Sequence, residues 1–128
     1  MAHILIAEDD EPVRAIVRRA LELDGHTIVA EADGAAALER LSASGGRFDL
    51  LLSDIRMPLM DGIALSLAAA RDFPLLPIVL MTGYADQRER AHDLLALIED
   101  VVTKPFSVAE IRAAVSKVLQ RRNVAARA

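Results

Sequence analysis

Four short stretches of the 128-residue chain hold residues able to do chemistry together: Glu8-Asp9-Asp10, Ser53-Asp54, Thr82-Gly83 and Thr103-Lys104-Pro105. Carboxylates gathered in one place repel one another unless a cation joins them. A donor set of hard oxygens, without His or Cys, favours Mg²⁺ over zinc. An ammonium and a hydroxyl nearby complete an oxygen cage for a phosphoryl group, so Asp9, Asp10 and Asp54 with Lys104 and Thr82 describe a phosphate-transfer site. Each residue taken singly has a plainer explanation. Asp9-Asp10 can be a solvated helix start, Asp54 a loop cap, Thr82 a turn hydroxyl and Lys104 a surface lysine. Convergence at one place is what distinguishes the two readings, and that depends on the elements carrying these residues.

Short apolar runs at 4–7, 27–30, 50–52, 78–81 and 101–102 read as five strands. Most are continuously apolar, the pattern of a parallel sheet covered by helices on both faces. Between them, Val13, Ile16, Val17, Ala20 and Leu21 form one helical stripe, and Ile111, Ala114, Val115, Val118 and Leu119 another. Ala- and Leu-rich segments at 34–41 and 62–70 add two helices, and 86–97 a fifth with a blurred apolar face. Pro12, Asp61 and a Ser107/Glu110 capping box mark helix starts, while Asp24-Gly25 and Gly45-Gly46 mark returns to the sheet. Strict alternation with right-handed crossovers predicts an α/β, flavodoxin-like doubly wound sandwich, with a five-stranded parallel sheet in the order 2-1-3-4-5 and five helices. Ligands bind such folds beyond the carboxyl ends of the strands, which is where all four stretches fall.

The length suits one domain, expected over 1–122 with a frayed tail at 123–128. Hydrophobic residues make up 53% of the chain and aromatics 3%, so the core must be aliphatic. A formal net charge of −4 gives no overall electrostatic reason to bind nucleic acid. The chain has no cysteine for disulfide or thiol chemistry, and no apolar stretch of membrane-spanning length. Together these favour a cytoplasmic protein without membrane insertion.

Glu8-Asp9-Asp10, the run Asp54-Ile55-Arg56-Met57-Pro58-Leu59-Met60-Asp61-Gly62, Thr82-Gly83 and Lys104-Pro105-Phe106 together resemble the receiver domains of bacterial two-component response regulators, over Ile4 to about Leu119. The resemblance implies that Asp54 is the phosphoacceptor, that Asp10 ligates Mg²⁺ directly while Asp9 holds a metal water, and that the Arg56 backbone carbonyl reaches the ion. It implies that Lys104 pairs with Asp54, that Thr82 reports the phosphoryl group, and that the peptide before Pro105 is cis. The donor would be a sensor histidine kinase or a histidine phosphotransfer protein. The output would be altered binding to a protein partner, and the chain would shed its own phosphoryl group without acting on small molecules. Asp61-Gly62 reads as an N-cap and helix entry.

One position departs from the pattern. Many receivers place Tyr or Phe three residues before the lysine, and here that residue is Val101. Tyr84, the sole tyrosine, could take over a reporting role or simply shield the acyl phosphate, and the resemblance implies that Arg56 and Tyr84 occupy rim positions that tune hydrolysis in this family. A stand-alone switch and a receiver belonging to a longer transcription regulator or hybrid kinase both remain open, as do monomer and dimer. Haloacid-dehalogenase-like phosphatases also use an aspartate, Mg²⁺ and a lysine. They carry Asp-x-Asp at the first strand, whereas here the candidate nucleophile follows strand three.

Overall fold

Successive side chains of a strand point to opposite faces of its sheet, so a strand apolar at every position needs cover on both sides. The computed structural model, which describes residues 1–83, 85–94 and 96–127, meets that need. Its elements run β1 (His3–Ala7), α1 (Glu11–Leu23), β2 (Thr27–Glu31), α2 (Gly34–Ser44), β3 (Leu50–Asp54), α3 (Gly62–Asp72), β4 (Ile78–Thr82), α4 (Ala85–His92), β5 (Asp100–Thr103) and α5 (Val108–Arg127). All strand pairs are parallel, in the order β2-β1-β3-β4-β5. This is the flavodoxin-like order expected from the sequence.

Parity divides the core in two. Ile4, Ile6, Leu50, Leu52, Val79, Met81 and Val102 pack with Val17 and Leu21 of α1 and Ile111, Val115 and Val118 of α5. Leu5, Leu51, Ile78 and Leu80 pack on the other face with Leu41 of α2 and Leu65 and Ala69 of α3. Each fully buried Leu or Ile contributes about 1.5–3 kcal/mol relative to exposure. Among the described residues no helix is long and apolar enough to cross a membrane.

The helix starts follow their chemistry. Asp33 and Asp61 cap α2 and α3 by accepting from the backbone N–H of Ala36 and Ala64, at 2.7 and 2.8 Å. Ser107 and Glu110 form the expected reciprocal box at α5: Glu110 N–H donates to Ser107 Oγ, and Ser107 N–H to Glu110 Oε1.

Two helix ends and one buried position differ from expectation. Helix α4 ends at His92, and the chain reaches Ile98 through turns in which Leu94 and Leu97 donate three residues back, to Ala91 and Leu94. Its apolar stripe is too blurred to anchor a longer helix. Helix α5 continues to Arg127 through most of the expected tail, since neither Gly nor Pro occurs after Pro105 to stop it. Ile16, expected on the buried stripe of α1, is 56% exposed and borders a cleft.

The β3–α3 loop is held against the end of β3 by close contact. A Cβ on Gly62 would lie 2.1 Å from the Asp54 carbonyl oxygen, and Gly62 N–H donates to the Ile55 carbonyl at 2.7 Å. Gly34 answers a similar demand, because a Cβ there would meet the Met60 carbonyl at 2.2 Å. Leu59 in the same loop has φ 67°, a left-handed conformation costing a branched residue about 1–2 kcal/mol. In urea unfolding, Gly62→Ala is expected to lose about 1–3 kcal/mol through overpacking, and Leu59→Gly to gain about 1 kcal/mol from relieved strain.

Candidate functional site

Register and parity build the site. Ala7 pairs with Ser53, so the next residues, Glu8 and Asp54, stand side by side at the strand ends. Both continue the parity of Ile6 and Leu52, toward the α1 and α5 face, but beyond the apolar cover. Val102 pairs with Met81, which pairs with Asp54, and Lys104 continues the parity of Val102. The Lys104-Pro105 peptide is cis, as expected.

The lysine bridges two carboxylates. Lys104 Nζ lies 2.8 Å from Glu8 Oε1 and 3.2 Å from Asp54 Oδ2. Asp54 Oδ1 accepts from the Ile55 backbone N–H at 2.9 Å. Glu8 is fully buried and Asp54 only 7% exposed. Burial pushes the Glu8 carboxyl up to about 8; Asp54 nearby adds to the rise and the Lys104 ammonium opposes it. Burial alone would lower the Lys104 ammonium, but its hydrogen bond to Glu8 and the charges of Asp54 and Glu8 outweigh this and raise it.

Carboxylate oxygens of Glu8, Asp9 and Asp54 lie within 4.8 Å of one another, the acidic group the described residues form. Asp10, which the resemblance implies is a direct ligand, stands outside this group of three and lines the cleft beside it. Asp10 is the N-cap of α1, in an extended conformation, and its Oδ1 accepts from Val13 N–H at 3.1 Å. A short acid directly before Glu11-Pro12 at a helix start was the signal for that role. Glu8 belongs to the cluster, and its sequence signal was a carboxylate directly following a fully apolar strand.

The cluster opens into a cleft of about 660 Å³. Asp9, Asp10, Asp54, Arg56 and Lys104 line its polar side, and Val13, Ile16 and Phe106 its apolar side. Thr82 is fully buried at the end of β4, where its carbonyl accepts from Lys104 N–H at 2.7 Å. Val101 is half-buried against the α2 and α3 face of the core. Tyr84 lies outside the described residues.

Mg²⁺ fits this set of residues. The donors are all hard oxygens, and Glu8 Oε2 is a buried atom without a hydrogen-bond partner, which an ionised carboxylate tolerates poorly unless a cation or proton meets it.

The response regulator receiver domain family matches residues 4–116, and the chain belongs to it. The transcriptional regulatory protein CseB of Streptomyces coelicolor is 36% identical over 119 residues, covering 93% of this chain and 50% of that protein. The DNA-binding transcriptional regulator NtrC of Escherichia coli is 34% identical over 116 residues, covering 91% of this chain and 24% of that protein. The chain thus spans about half the length, or less, of these curated relatives. Among solved structures, the chemotaxis response regulator CheY4 of Vibrio cholerae superposes with a TM-score of 0.81 at 26% identity, over 92% of this chain and 98% of that one. A receiver domain protein of Clostridium thermocellum reaches 0.87 at 18% identity, over 97% and 98% of the two chains, and shows the shared fold. Receiver domains are phosphoryl-accepting modules of two-component signalling that bind Mg²⁺ at an acidic pocket.

The Glu8 environment sets a pH dependence in the metal-free protein. Burial pushes its carboxyl up to about 8 in the folded state, against an ordinary value near 4.5 in the unfolded chain. Between those values the folded state binds more protons, so this group's contribution to stability is full below about 4.5 and falls as pH rises towards 8. Urea unfolding across that range in the presence of a chelator is expected to show the decline, and Glu8→Gln to flatten it.

Proposed function

We propose that the chain is a switch in which Asp54 accepts a phosphoryl group from a phosphohistidine on a sensor kinase or histidine phosphotransfer protein. The observation that carries this reading is the Lys104 bridge between Glu8 and Asp54 beside the open cleft. An Asp54 carboxylate oxygen attacks phosphorus in line; the new O–P bond forms as the P–N bond to the donor imidazole breaks. Water later attacks the phosphorus, releasing inorganic phosphate and restoring the Asp54 carboxylate. Lys104 holds Asp54 in place before transfer and meets the phosphoryl oxygens afterwards. Thr82 supplies a hydroxyl hydrogen bond to the same group.

Asp9, Asp54 and the Arg56 backbone carbonyl would hold Mg²⁺, with Glu8 as the buried acidic partner. Bound there, the ion offsets the negative charge gathered as the phosphoryl group arrives. Incubation with Mg²⁺ and a small acyl phosphate donor is expected to give a phosphoryl adduct by mass spectrometry. Asp54→Asn or excess chelator should abolish it; an adduct surviving in Asp54→Asn would sink the assignment.

Output is read through Thr82 and the neighbouring α4 and β5, without an aromatic at Val101. Arg56, which lines the cleft beside Asp54, tunes the lifetime of the phosphorylated form. Arg56→Ala is expected to change the decay rate of the adduct several-fold while leaving its formation intact, followed by loss of phosphate over time.

A second reading makes the chain the receiver portion of a longer regulator. It is favoured by the relatives of about twice this length, and the reading frame around the segment decides it.

A further inference from the structure

The loop between β1 and α1 contains only Glu8, Asp9 and Asp10, and Arg14 contacts both of its ends. Arg14 N–H donates to the Asp10 carbonyl at 2.9 Å, closing the first turn of α1. Its half-buried side chain turns back, and Nη1 donates to the Glu8 carbonyl at 2.8 Å. The Glu8 N–H is held from the opposite side by the Glu31 carbonyl at 3.0 Å. Asp9 itself is exposed, so its direction depends on the peptides around it. The Glu8 carbonyl and the Asp9 N–H belong to one rigid plane, and fixing that oxygen fixes the plane from which Asp9 projects.

We propose that Arg14 is a positioning residue for the metal site, acting through the Glu8-Asp9 peptide to aim the Asp9 carboxylate toward Glu8 and Asp54. The inference rests on the reading that this cluster holds Mg²⁺. Its sign separates positioning from simple charge. Removing a cation near three carboxylates would by itself strengthen Mg²⁺ binding, since the remaining charges attract the ion more. Removing the group that orients Asp9 weakens it. The net worth of one ordinary hydrogen bond sets the scale at roughly three- to tenfold in Kd.

The test is a Mg²⁺ titration without phosphodonor, followed on the backbone amide signals of Asp9 and Asp54 by NMR, with urea unfolding of each variant alongside. Arg14→Ala is expected to weaken Mg²⁺ binding about three- to tenfold. Arg14→Lys, which keeps a donor of similar reach, recovers part of the loss. In an Asp9→Asn background Arg14→Ala costs no further affinity, because the carboxylate it aims is gone. A Kd unchanged or tighter in Arg14→Ala, a lysine variant no better than alanine, or an equal loss in the Asp9→Asn background each overturns the inference while leaving the metal site intact. If the wild-type protein shows no saturable shift at these amides, the metal reading and the inference fall together.

Discussion

One ammonium between two buried carboxylates is the constraint around which the carboxyl end of the sheet is arranged. Glu8 and Asp54 project side by side from adjacent strands, with little water to screen them. Such a pair is strongly unfavourable unless positive charge is shared between its members, and Lys104 reaches both from the far side of β4. The lysine removes one charge from a cluster that includes Asp9, and the deficit left over is what makes the cleft receptive to a divalent cation. Stability and function therefore pull against each other at this rim, a common arrangement where chemistry needs a strained electrostatic environment.

The remaining structure serves to keep that arrangement in register. Two aliphatic layers lock the strands, so Glu8, Asp54 and Lys104 inherit the precision of the core. The loops that finish the site are tied down by different means. Gly62 lets the β3–α3 loop close onto the Asp54 carbonyl, Asp61 caps α3, and Asp10 caps α1 directly beside the acidic cluster. Helix α4 has only eight residues, and the ion pair of Arg90 with Asp61, at 3.6 Å and largely exposed, is a weak link between α4 and the start of α3.

Much of this was legible in the residues themselves. Continuous apolar runs separated by helical stripes predicted the sheet, its order and the end at which the polar residues gather. The capping box at Ser107 and Glu110 and the cap at Asp61 were readable because capping depends on neighbours a few positions away. Helix ends were less legible: α4 stops early and α5 runs on because length is settled by packing and by the absence of a breaker, not by local preference alone. The exposure of Ile16 was hidden for a related reason, since a stripe shows which face is apolar but not where its cover ends.

The acidic site marks the boundary most clearly. Residue types and order alone described a candidate phosphate-transfer site around Asp54, Lys104 and an acidic group, because hard oxygens, an ammonium and a hydroxyl fall together at the strand ends. They did not determine which acids converge. Four consecutive carboxylates, Glu8 to Glu11, look equivalent in a sequence, and only the pairing of Ala7 with Ser53 places Glu8 against Asp54 while the first turn of α1 takes Asp10 as its cap. Register is a property of two strands together, so the tertiary structure alone could decide it.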